Sequence, residues 1–112
     1  MEIEILLTGN IARIRLRGRL DTPGVDRIES QFTSSVVPDG RNTVVDLREV
    51  SFIASMGLRM FIGIAKQLRR QNARMVLFAP QSQVSEVFHT VLLREIVPIV
   101  ADEAEAMRYA AT

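Results

Sequence analysis

The stretch SFIASMGLRM, residues 51–60, decides how this chain is read. Its opening residues continue an apolar strand pattern. Its end enters an amphipathic helix over residues 56–70, where Met56, Met60, Ile64 and Leu68 recur on one stripe. Ser55 stands at the changeover, two residues ahead of Gly57. A serine just before a long helix is an ordinary N-cap, its hydroxyl accepting from a free backbone N–H. The same position also suits regulation. A helix N-terminus carries orphan donors and about half a positive charge, so a phosphoryl group on Ser55 would be favourably placed. A hydroxyl on a connection is also within reach of a kinase. On these residues alone both readings stand.

Working outward, TVVDL (43–47) and ARMVLFA (73–79) are short apolar runs typical of strands buried on both faces. Near the N-terminus Ile3, Ile5 and Leu7 alternate with Glu2, Glu4 and Leu6. After the Gly9-Asn10 turn, Ala12, Ile14 and Leu16 alternate with Arg13, Arg15 and Arg17. This pattern predicts a hairpin with one solvated, arginine-lined face. Thr22 can cap a following helix with Pro23 at its first position, and Val25, Ile28, Phe32 and Val36 keep helical spacing until Pro38-Asp39-Gly40.

Beyond Pro80, Ser82 to Leu93 reads as a helix with Val84, Val87, Phe88 and Val91 on its apolar face. IVPIV (96–100) is a last strand, and Pro98 argues for a sheet edge. Asp102-x-x-Glu105 has the acid form of a capping box and opens a terminal helix, with Ala104, Met107 and Ala111 expected to pack inward. The order β-β-α-β-α-β-α-β-α implies one α/β domain over residues 1–112. Its central sheet is mainly parallel, with an N-terminal hairpin and flanking helices.

Composition narrows the chemistry. A net charge of +1 lacks the footprint of a nucleic-acid binder, and no cysteine is available for disulfides, thiolate zinc sites or nucleophiles. No apolar run approaches a membrane span, MEIEI is no signal peptide, and a cytoplasmic location is expected. His89 is the single histidine, and neither a phosphate-binding glycine loop nor a dinucleotide turn occurs. Asp21, Asp46 and Glu49 read as capping, turn or surface carboxylates rather than metal ligands. An enzyme is not expected, nor a cofactor or metal.

The segment VVDLREVSFIASMGLRMFIGIAKQLRRQNARMVLFAP resembles the signature region of STAS domains, the family of sulphate transporters and anti-sigma factor antagonists. There a buried strand ending in D-L leads through an apolar pair to D-S-[ST]-G-L at a helix start. GRLD (18–21) is similar to the family's G-x-[LI]-D. The resemblance implies that Ser55 occupies the phosphoacceptor position, with Gly57 and Leu58 matching the motif. Asp21 and Asp46 match family aspartates, Asp21 in a loop near the phosphorylation site. Ala54 stands in place of the motif's aspartate and Met56 in place of its small hydroxyl residue.

The implied function is that of an anti-sigma factor antagonist, a non-enzymatic switch that sequesters an anti-sigma factor serine kinase. Phosphorylation at Ser55 releases it and a phosphatase resets it. The implied contact surface is Asp21, Thr22, Ser55, Met56, Gly57 and Arg59, on a monomer or weak dimer without direct nucleic-acid contact or membrane insertion. The family offers an alternative, a STAS subunit of a lipid-transporting ABC system that docks on the ATPase unphosphorylated. A stressosome-type scaffold is a third possibility.

Overall fold

The computed structural model describes residues 1–111. Its elements are β1 (Glu2–Thr8), β2 (Ile11–Leu20), α1 (Thr22–Val36), β3 (Asn42–Ile53), α2 (Ser55–Arg69), β4 (Met75–Phe78), α3 (Ser82–Thr90), a 3-10 turn (Leu93–Glu95), β5 (Ile99–Val100) and α4 (Glu103–Ala111). They follow the expected order. The strands form one sheet, β1-β2-β3-β4-β5, in which β1 runs antiparallel to β2 and all other pairs are parallel.

The hairpin alternation holds in β2: Ala12, Ile14 and Leu16 are buried, while Arg13, Arg15 and Arg17 lie on the opposite face. That buried face meets the apolar stripes of α1, α2 and α3, where Val25, Ile28 and Phe32 pack with Met60, Phe61, Ile64, Leu68, Val84 and Phe88. The other face carries α4 alone, over Val44, Val76 and Phe78. Glu103 of α4 is hydrogen-bonded to Arg13, and Asn42 Nδ2 donates to the Ala110 carbonyl (3.0 Å), so both ends of this short helix are tied down.

Several boundaries differ from the sequence reading. β3 runs twelve residues rather than five, because two register shifts against β2 absorb its surplus. Bulges of this kind break the two-residue period and hide a strand. α3 ends at Thr90, three residues early. Leu92 takes a left-handed conformation (φ 55°) that no helix can continue, which leaves Val91 exposed. The last strand shrinks to Ile99–Val100, though its edge position is as Pro98 suggests. In α4 the inward residues are Ala106 and Ala110, while Ala104 and Ala111 are exposed and Met107 is half-buried. The Asp102–Glu105 box forms in part, its return bond reaching Ala101 rather than Asp102. Asp102 Oδ1 accepts from the Glu105 N–H (2.9 Å) and Glu105 Oε2 from the Ala101 N–H (3.2 Å).

Candidate functional site

The parallel strands β2 and β3 end in register at Leu20 and Ile53. One residue on, the Ala54 N–H donates to the Leu20 carbonyl (3.0 Å) and holds the two strand-to-helix connections side by side. Asp21 and Thr22 leave one connection, Ala54 and Ser55 the other. Sites between neighbouring connections at the carboxyl ends of parallel strands are the usual functional position of such sheets.

The two helix starts are capped differently. Asp21, not Thr22, is the N-cap of α1: its Oδ1 accepts from the Gly24 N–H (2.9 Å), which makes Thr22 and Pro23 the first two helical residues. That bond, followed by the bond and charge of Arg19, outweighs desolvation and holds the Asp21 carboxyl below its ordinary pKa. α2 starts with Ala54 as N-cap and no side-chain cap. Ser55 is therefore its first helical residue, and the N-cap role expected of it is not what the structure shows. The Ala54–Leu20 bond holds residue 54 extended (φ −114°, ψ −179°) while the Ala54 carbonyl accepts the first helical bonds, from the Gly57 and Leu58 N–H groups, so the helix starts at Ser55, one residue earlier than expected. Ser55 is exposed, and its hydroxyl makes no hydrogen bond among the described residues.

Gly57 is buried, and a Cβ there would come within 2.8 Å of Ile53 Cγ1 and 3.0 Å of Leu20 Cβ. Its contribution is to seat the first turn of α2 on the strand ends. Arg59, one turn beyond Ser55, is exposed and forms no ion pair among the described residues, while Met56 is half-buried and packs against the core. The sequence reading did not single out Arg19 and Phe52. The Arg19 guanidinium carbon lies 4.2 Å above the Phe52 ring centroid, with its Nε 3.3 Å from Asp21 Oδ2. Phe52 leaves 38% of its surface exposed beside the two connections. The one signal for this cluster was Gly18, a glycine inside the β2 pattern (φ 116°) that marks the register shift turning Phe52 outward.

Asp46 lies away from these connections, on the sheet face that α4 covers. Burial alone would raise its pKa, but hydrogen bonds from the Arg48 side chain (2.6–3.1 Å) and the Arg48 N–H (2.9 Å) hold it lowered, with added charge from Arg15. It is a structural ion pair. His89 is exposed on α3, and no group of three or more metal-ligating side chains occurs among the described residues. Among the described residues no helix is long and apolar enough to cross a membrane.

Fold and site together define a small α/β domain with a reachable hydroxyl beside a capped carboxylate, at the ends of two neighbouring parallel strands. Residues 2–106 match the STAS domain family, and the chain belongs to it. BtrV of Bordetella bronchiseptica, provisionally described as an anti-sigma factor antagonist, is 33% identical over 91 residues, 81% of this chain and 78% of that one. In fold, the chain is similar to an anti-sigma factor antagonist from Mycobacterium paratuberculosis (TM-score 0.88, 19% identity, 99% and 94% of the two chains). It is also similar to the Bacillus cell fate determinant SpoIIAA in its phosphorylated form (TM-score 0.72, 24% identity, 96% and 98%).

Proposed function

We propose that this chain is an anti-sigma factor antagonist, a protein-binding switch without catalytic activity of its own. In this reading it sequesters an anti-sigma factor serine kinase, is released when Ser55 is phosphorylated, and is reset by a phosphatase. The observation that carries the reading is the free, exposed Ser55 hydroxyl at the uncapped start of α2. The names borne by relatives of this chain and the phosphorylated state of SpoIIAA support it.

The physics of release follows from the position. Phosphorylation adds about −1.5 to −2 charges at neutral pH. Within the free protein that charge meets the donor end of α2 and is tolerated. Within a complex it enters a contact made by Met56, Phe52 and Arg59 and forces a partly apolar interface to accept an ionic group. A differential of only a few kcal/mol converts a mostly bound population into a mostly free one. Asp21 and Thr22 border the same surface, and Gly57 fixes its height.

Ala54 favours a second reading. The carboxylate that the family motif places before its serine is missing, so α2 could present this end to an ATPase of a lipid-transporting ABC system without any phosphoryl step. Incubation with the candidate kinase and ATP separates the two. The switch requires the intact mass to rise by one phosphoryl group in wild type and not in Ser55→Ala, with the complex dissociating in parallel. A stable complex and an unchanged mass with an active kinase would move the transport reading ahead.

A further inference from the structure

The two edges of the sheet are built differently. β5 is two residues long and follows Pro98, which lacks an N–H, so this edge offers little to pair with. β1 has seven residues, no proline and no lysine, and pairs with β2 without a bulge. It also carries two of the most exposed large apolar side chains, Leu6 (56%) and Leu7 (48%). Natural edges are normally blunted by short length, proline, charged side chains or a bulge; of these β1 has only Glu2 and Glu4, whose charges Arg17 and Arg15 of β2 offset at 3.7 and 4.0 Å. We propose that β1 is a pairing edge for a second copy of this chain, forming a weak antiparallel dimer with a sheet continuous through both molecules.

The strand's own sequence selects the register. The two-residue Gly9-Asn10 connection makes Thr8 and Ile11 a hydrogen-bonded pair, so Ile3, Ile5 and Leu7 turn their N–H and C=O groups away from β2. Centring the two-fold on Ile5 brings these groups together. Ile5 faces its own copy and Ile3 faces Leu7, on the side where Ile3 and Ile5 already pack against the core. On the other side Glu4 faces Leu6 and Glu2 faces Thr8, so no like charges oppose. A centre at Glu4 would set Glu4 against itself, and a centre at Ile3 would set Glu2 against Glu4, both destabilising. A centre at Leu6 leaves Glu2 and Ile3 beyond the strand, and any odd offset turns the core side of one copy to the open side of the other. The Ile5 register is the one that pairs all seven residues. Neither Ser55 nor Arg59 belongs to the strand, so pairing does not consume the candidate switch.

Sedimentation velocity of the full chain should show a monomer–dimer shift between about 10 µM and about 1 mM, the weak range expected of an interface below standard size. Leu7→Lys, which places a charge on the edge, should lower the dimer fraction at least ~tenfold with an unchanged circular dichroism melt. The chain has no cysteine, which permits a register test. Glu4→Cys/Leu6→Cys should form a covalent dimer rapidly under mild oxidation, because the two positions face each other across the two-fold. Glu4→Cys alone should not. A monomer throughout the range overturns the proposal, as does a double variant that cross-links no faster than Glu4→Cys alone.

Discussion

Two segments of this chain, LDTPG at 20–24 and IASMG at 53–57, occupy equivalent places. Each begins on a buried strand-end residue, Leu20 or Ile53, and these two are partners in the sheet. Each then supplies an N-cap, two exposed or half-buried helical residues, and a buried glycine at the third helical position. The backbone solution is the same, but the cap differs. Asp21 closes its helix with a carboxylate, and Ala54 leaves its helix without one. One junction is finished internally. The other keeps its donor end available, and that is where the candidate phosphoacceptor sits.

The sharpest way to break this comparison is at the glycines. A Cβ on Gly24 would lie 2.0 Å from the Arg19 carbonyl oxygen, an obstacle fixed in the β2 backbone. Gly24→Ala should cost about 3 kcal/mol or more, read as the loss in urea-unfolding free energy. At Gly57 the nearest obstacles are side-chain atoms of Ile53 and Leu20, which can yield in part. Gly57→Ala should cost about 1–2 kcal/mol by the same measurement. Equal losses would mean that the two first turns are not seated as described.

The caps give smaller, pH-dependent effects. Because the folded pKa of Asp21 is lowered, its stabilisation is fully present above the unfolded value and disappears as pH falls through the folded one. Asp21→Ala should therefore lower the melting temperature at pH 7 and converge on wild type in strong acid. Ala54→Asp supplies the missing cap and should stabilise by about 0.5–1 kcal/mol at neutral pH, a gain that acid removes. Ser55→Ala should be the mildest of all, within about 0.5 kcal/mol, since Ser55 caps nothing. A loss near the full value of an N-cap would show that its hydroxyl closes the helix in solution after all.

The legible parts of this fold were those with an unbroken period. β2, α1 and α2 could be read because their apolar residues recur at two or at three and four, and the burial follows. β3 resisted because bulges separate its buried Val50 and Ile53 by three residues, a helical spacing inside a strand. The end of α3 resisted because a leucine, rather than a glycine, takes the left-handed position. At the site, residue types located the junction to within one residue. The missing step was tertiary: the bond from Ala54 to Leu20 joins residues far apart in the sequence, and such a bond cannot be read from neighbours in the chain.

That same bond makes the Ala54 amide a natural reporter. Its proton is shared with the neighbouring strand end, whereas the amides just after it begin an uncapped helix. In hydrogen–deuterium exchange it should be the slow position beside faster ones, and its exchange measures how often the two connections part. A partner that grips both connections would slow it further. One that grips only α2 would leave it unchanged. A single peak in a spectrum would then tell a clamp on the pair from a grasp on one helix, without any label attached.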